Sequence, residues 1–203
     1  MTRHRVVRIA AAVLMTAASL HAASTLDRAA TFRVSATYTN VSFTIVKWMV
    51  LKQEGIFRDF SGAIYYDPRD PARSRVQFTV QVASIDTRNS TRDRVLRSDD
   101  FFDASRYPTM TFVSTAVAPS GANALAVTGD LTIRGLTRQV TIPVTFLGYN
   151  EVPNGGGNLA GFEAAFTLDR TQFGVNGFRW SGGKLSLSKE VGVHLLVGAI
   201  RED

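Results

Sequence analysis

Ala124-Leu-Ala-Val-Thr-Gly-Asp-Leu-Thr-Ile-Arg-Gly-Leu-Thr-Arg-Gln-Val-Thr-Ile-Pro-Val-Thr-Phe146 is the stretch on which the fold is decided. Leu125, Val127, Leu131 and Ile133 fall on one parity, with Thr128, Asp130 and Thr132 on the other. Val140, Ile142, Val144 and Phe146 repeat the pattern. Successive side chains of a strand face opposite sides, so each run has one apolar and one more polar face. Pro143 lies inside the second run and cannot donate to a ladder, so an edge or a bulge is expected there.

The same alternation extends in both directions. Val76, Phe78, Val80 and Val82 alternate with Gln77, Thr79 and Gln81, and Phe162, Ala164, Phe166 and Leu168 repeat it. Val191, Val193, Leu195, Val197 and Ala199 close the series. Earlier candidates are Thr31–Thr37, Val41–Leu51 and Gly62–Tyr66, with Thr109–Val117 in the middle. The β-branched and aromatic content fits strands. Turn signals at 67–71, 119–123 and 153–158 punctuate them and favour antiparallel hairpins. Thr87–Tyr107 breaks the pattern. Ser90 with Asp93 three residues on resembles a weak capping box, so a short helix is expected over Thr91–Arg97, in a helical segment near 91–103, with Phe101 and Phe102 dropping back onto the sheet. About eight strands must hide their apolar faces. A closed eight-stranded barrel does so and has room for one small ligand; a two-sheet sandwich is the structural alternative.

The chain has 203 residues and no cysteine, which removes disulfides, zinc-thiolate and iron–sulfur sites and a cysteine nucleophile. Arg3, Arg5 and Arg8, then the apolar stretch Ile9–Leu20, then Ala22-Ala23-Ser24 follow the order of a cleaved secretory signal. The apolar run is short for a bilayer span, which needs about 20 residues. Residues 1–24 are therefore read as a leader and 25–203 as one β domain, exported to the periplasm. Without the leader the chain carries 20 basic against 17 acidic residues, a net +3. That is too mild, and too unclustered, for nucleic-acid binding. His4 and His21 leave with the leader, so His194 is the one remaining histidine. It lies on the polar parity of the last run, where a surface or hydrogen-bonded role is expected.

In the order Val41-x-Phe43-x-Ile45, Gly55-x-Phe57-x-x-Phe60-Ser61-Gly62-x-Ile64, Ser84-Ile85-x-Thr87-x-Asn89, Arg92-Asp93, Leu96-x-Ser98, Asp100-Phe101-Phe102-Asp103, Tyr107-Pro108-x-Met110-x-Phe112-x-Ser114, Gly129-x-Leu131-Thr132-Ile133-x-Gly135-x-Thr137 and Arg170-x-x-Phe173-Gly174-Val175, the chain resembles the YceI-like family of secreted lipid-binding proteins. The likeness covers roughly residues 30–200. It implies an all-β, eight-stranded antiparallel barrel, lipocalin-like, with a long apolar pocket for a polyisoprenoid, an isoprenoid quinone or a fatty-acid derivative. Members often carry histidines where this chain has Tyr38, Lys47 and Val95, so roles tied to those histidines do not transfer. The Gly-rich 153–158 stretch looks particular to this chain.

An apolar tail offers almost no hydrogen-bonding capacity, so its affinity must come from burial, at about 25 cal/mol per Å². The apolar parity nominates a lining of Phe43, Ile45, Phe78, Val80, Phe112, Val127, Leu131, Ile142, Val144, Phe146, Phe166, Leu168, Val193 and Leu195. The alternative is that these side chains fill a dry core. Arg92, Asp93 and Arg170 admit two roles: a polar mouth for a head group, or ion pairing that pins the helical segment over one barrel end. Tyr38, Lys47, Trp48 and Trp180 are vaguer candidates, Trp180 on a lip near the pocket. Asp99, Asp100 and Asp103 suit a solvated acidic cap better than a calcium loop, and no metal or cofactor is expected. No Gly-x-Ser-x-Gly elbow or P-loop is present. The expectation is a non-enzymatic periplasmic carrier of a long-chain amphiphile. A filled barrel acting as an envelope structural or protein-interaction module is the alternative. A membrane-spanning barrel fits poorly, because several runs are short and no aromatic belts stand out. Transient contact with a membrane or a membrane protein, and a homodimer, stay open.

Overall fold

Alternation of period two becomes a closed antiparallel barrel in the computed structural model, which describes residues 26–153, 156–177 and 187–202. The expected leader, Trp180 and part of the Gly-rich stretch lie outside these residues. Eleven strand segments are present: β1 (Ala30–Val34), β2 (Asn40–Lys47), β3 (Leu51–Phe57), β4 (Phe60–Tyr66), β5 (Arg75–Gln81), β6 (Ile85–Asp86), β7 (Thr109–Pro119), β8 (Ala124–Ile133), β9 (Leu136–Glu151), β10 (Asn158–Asp169) and β11 (Leu187–Arg201). They make eight strands, because three are bent into two segments each. β1 and β2 lie end to end along β11. β3 and β4 follow them, pairing with β2 and β1 respectively. β5 and β6 pair in turn with β4 and β3. β7 to β11 complete the meander, and β11 against β1 closes it, with Phe32 opposite Arg201 and Val34 opposite Ala199. Closure covers the sheet edges except where β9 and β10 part, and a barrel is the solution expected over the sandwich.

The bends have local causes. At the first, the Ser35 N–H donates to the Gly198 carbonyl and Thr39 Oγ1 lies 3.1 Å from the same oxygen. A side chain at 198 would stand 2.4 Å from Tyr38 Cβ, so only glycine lets the two chains cross there. Arg58 and Asp86 brace the bends of the next two strands through an ion pair. The Arg88 N–H, then Arg58, hold the Asp86 carboxyl below its ordinary range.

Two expectations need correction. The run Val41–Leu51 is not one strand: a turn at 48–50 divides β2 from β3, and Trp48 and Met49 both sit at positive φ, 51° and 61°. No Gly, Asn or Pro marks that turn. The helix α1 spans Ser90–Arg97, and its N-cap is Asn89, whose side chain accepts from the Arg92 N–H, not Ser90. Residues 98–103 are turns rather than helix. Pro143 pairs with Ala126 just beyond the β9–β10 ladder, which begins at Val144, so its missing donor faces no partner strand. The bulge in that ladder falls at Leu147, skipped between Phe146 and Gly148. Past Val144 the two strands part, and Phe101, Phe173 and Val175 form a buried cluster against which Leu131 and Ile133 pack.

One barrel end is filled by aromatic side chains. Phe32, fully buried, meets Tyr149 edge-on at 6.1 Å, while Tyr66, Phe146 and Phe162 pack together at 4.9–5.7 Å. Burial, with Asp67 beside it, pushes the Tyr66 hydroxyl above its usual value.

Candidate functional site

Above that aromatic floor the side chains do not fill the barrel. A cavity of about 620 Å³ runs from Tyr66, Ser74 and Val197 at depth to Lys47, Gln53 and Arg170 at the opposite end. Thirteen of the fourteen nominated side chains line it: Phe43, Ile45, Phe78, Val80, Phe112, Val127, Leu131, Ile142, Val144, Phe166, Leu168, Val193 and Leu195. Phe146 does not. It faces inward as its parity requires but sits in the floor, clamped between Tyr66 and Phe162.

The lumen stays open for a reason visible in the strands. Three phenylalanines large enough to plug it lie against glycines in the wall. Phe43 Cζ is 2.4 Å from where a Cβ on Gly55 would stand. Phe78 Cδ2 lies 2.9 Å from the same point on Gly62, and Phe112 Cζ 2.6 Å from that on Gly129. Phe43 and Gly55 are directly paired across β2 and β3, as are Gly62 and Phe78 across β4 and β5. Each absent side chain is a recess that takes a ring which otherwise points into the lumen.

The mouth adds residues that strand parity does not reach. Val95 and Leu96 of α1, Phe101 and Phe102 after it, and Phe173, Val175 and Leu187 all line the cavity. Phe101 is buried with Phe173 and Val175, and Phe102 meets Phe57 edge-on at 6.1 Å. The adjacent Phe-Phe pair was the signal for this half of the lining. Of the three positions matched to histidines of the resembled family, Lys47 and Val95 line the cavity, and Tyr38 does not.

Arginines lace this end together, chiefly through main-chain carbonyls. Arg92 Nε donates to Thr87 Oγ1 at 2.7 Å, one terminal nitrogen donates to the Thr87 carbonyl at 2.6 Å, and the other meets Gln53 Oε1. Asp93 Oδ1 accepts from the Thr87 N–H at 2.9 Å and from its hydroxyl at 2.5 Å. Both members of the Arg-Asp pair thus converge on Thr87 and pin α1 to the end of β6. Arg92 also lines the cavity; Asp93 is buried behind it and does not. The pinning is therefore by hydrogen bonds meeting at a threonine, where ion pairing was one of the two roles considered. Arg170 lines the cavity and donates to the carbonyls of Ser188, Val175 and Asn176 at 2.5–2.8 Å. Burial lowers its pKa, partly opposed by Asp169. Arg134, at positive φ in the β8–β9 turn, donates to the carbonyls of Asp99, Phe101 and Gly174 at 2.6–2.7 Å.

Chemistry elsewhere is sparse. His194 is on the outer wall, its Nε2 2.7 Å from Glu163 Oε1. Among the described residues no group of three or more His, Asp or Glu could hold a metal ion, Asp99, Asp100 and Asp103 included. What the arrangement can do is enclose an apolar chain, with two guanidinium groups, one ammonium and the Glu54 carboxylate near its open end.

A family model described as YceI-like domain matches residues 32–199. Protein YceI of Escherichia coli is 40% identical over 121 residues, 60% of this chain and 62% of that protein, so the aligned part spans under two thirds of the relative. The crystal structure of Burkholderia cenocepacia BcnA superposes with a TM-score of 0.72 at 34% identity, covering 82% of this chain and 99% of that one. A polyisoprenoid binding domain from Saccharophagus degradans shares the fold, with a TM-score of 0.66 at 13% identity over 84% of this chain and 98% of that one.

Proposed function

Taking as premise that the chain belongs to the YceI-like family, we propose that it is a periplasmic binding and carrier protein for one long-chain amphiphile held in the barrel. The observation that carries this reading is the 620 Å³ apolar cavity, which lies inside the range of about 300–1,000 Å³ typical of small-molecule sites. At about 30 Å³ per heavy atom, the share of one water in the liquid, it takes a tail of roughly 20 carbons. A polyisoprenoid, isoprenoid quinone or acyl chain has that character, and the solved domain of the same fold from Saccharophagus degradans is described as polyisoprenoid-binding. The head group rests near Lys47, Arg92 and Arg170.

The role is binding rather than catalysis. Among the described residues, the lining arginines are engaged by carbonyls and a threonine, and the hydroxyl of that Thr87 is spent on Asp93 and Arg92, pinning α1. Periplasmic location rests on the leader-like residues 1–24. Native mass spectrometry of protein recovered from the periplasm, followed by organic extraction, tests the whole reading. The expected result is a stoichiometric adduct with a long apolar tail. A bare protein mass, with no uptake of added prenyl or acyl lipid, overturns it in favour of a protein-interaction module.

A further inference from the structure

The turn between β2 and β3 is built against ordinary turn chemistry. It is closed by the Val50 N–H donating to the Lys47 carbonyl at 3.2 Å, and its two central residues, Trp48 and Met49, both carry positive φ. That is the signature of a turn in which Asn-Gly is the usual pair, because bulky side chains there crowd the backbone. Yet both are exposed, together with the two residues that follow them. Trp48 is 58% exposed, Met49 76%, Val50 78% and Leu51 46%, a continuous apolar tip at the end of a hairpin. Backbone strain kept at an exposed apolar tip has no use in folding and points to an external surface.

The surroundings identify that surface. Lys47 lies before the tip, its Nζ 4.1 Å over the Trp48 ring, and exposed Lys52 lies after it. An indole at the apolar–polar boundary, aliphatic side chains beyond it and ammonium groups behind it match the layering of a bilayer with anionic head groups. A protein groove has no need of this order. The tip is also continuous with the mouth: Ile45 and Lys47 before it, and Gln53 after it, line the cavity. We propose that the 48–51 tip docks on an anionic lipid bilayer and sets the barrel mouth against the membrane face. The use of that docking, direct passage of a tail between bilayer and cavity, rests on the proposed carrier function. The docking itself rests on the hairpin alone.

Cosedimentation of the purified protein with vesicles of phosphatidylcholine, with and without phosphatidylglycerol, tests it. The decisive variant is W48N with M49G, which supplies the residues such a turn ordinarily selects. It relieves strain, so its urea midpoint equals or exceeds that of the parent. Binding to phosphatidylglycerol vesicles is expected to fall by roughly tenfold or more as two large apolar groups are lost. Lys52→Glu is expected to lower binding to phosphatidylglycerol vesicles and leave phosphatidylcholine vesicles unaffected. Parent protein that does not sediment with phosphatidylglycerol vesicles, or a folded W48N/M49G variant that sediments equally, overturns the proposal. The two readings separate cleanly. Docking without a lipid adduct in the mass spectrum sinks the carrier function and leaves the docking site standing. Uptake of farnesol from ethanol without docking does the reverse.

Discussion

Tail length is the sharpest lever on the cavity. Consider a series of prenyl alcohols lengthened one isoprene unit at a time, from two units to eight. The cost of association is met once, by the first units. Each further five-carbon unit that enters the barrel then adds its burial alone. At about 0.8 kcal/mol per methylene that is about 4 kcal/mol; at the lower efficiency of about 0.3 kcal/mol per atom seen for larger ligands it is about 1.5 kcal/mol. Affinity therefore rises between about 10-fold and 1,000-fold per unit while the chain is inside. The 620 Å³ available holds roughly 20 carbons, or four units. Beyond that the added carbons protrude from the mouth, and the gain per unit drops below about twofold. Displacement of a fluorescent fatty-acid analogue, with the alcohols delivered from cyclodextrin, reads the whole curve. A steep limb that breaks at about four units is the expected outcome. A flat response from two to four units, or one slope maintained to eight, refutes the cavity as the seat of binding.

Four further outcomes follow from named contacts. Phe32→Ala removes a fully buried ring from the floor and is expected to cost about 3–5 kcal/mol in urea unfolding; an unchanged midpoint contradicts the packed floor. Thr87→Val deletes the hydroxyl that serves both Arg92 Nε and Asp93 Oδ1, costing about 1–3 kcal/mol by the same assay. Gly129→Ala places a methyl 2.5 Å from the Val113 carbonyl and 2.6 Å from Phe112 Cζ, so the ring must swing inward. It is expected to destabilise by about 1–3 kcal/mol and to bring the break in the prenyl curve to shorter chains; wild-type stability with an unmoved break refutes the recess argument. Asp169 accepts from the Thr171 hydroxyl and N–H, and these bonds hold its carboxyl below the ordinary carboxylate value. A depressed folded pKa stabilises above the unfolded value and is lost as pH falls through the folded one. The stability gap between wild type and Asp169→Asn is therefore expected at neutral pH and to close as pH falls below the ordinary carboxylate range; a gap independent of pH contradicts the assignment.

Strand parity made most of the site legible before any coordinates, because an inward face in a closed barrel is a lining face. It could not tell height along the barrel, which is why Phe146 was placed with the lining when it belongs to the floor. It also could not reach residues outside strands. Val95, Leu96, Phe173 and Val175 enter the cavity from a helix and turns, where period two does not apply. The 48–50 turn was invisible for a different reason. An apolar, partly β-branched run reads as continuous strand, and only positive φ at Trp48 and Met49 reveals the reversal. A residue chosen against local propensity cannot be found by local propensity.

On the proposed function, the arginine lacing of the mouth bears on how a bound tail leaves the barrel. Guanidinium keeps its charge throughout the biological range, and the carbonyls of Thr87, Phe101, Gly174, Val175, Asn176 and Ser188 do not take up protons there. The arginine half of the collar is held by neutral carbonyls, and its other half by the Asp93 carboxylate, whose Oδ1 accepts from the Thr87 N–H and hydroxyl. On the carrier function proposed above, a barrel laced in this manner gives up its tail by competition, to whatever apolar phase meets the opening.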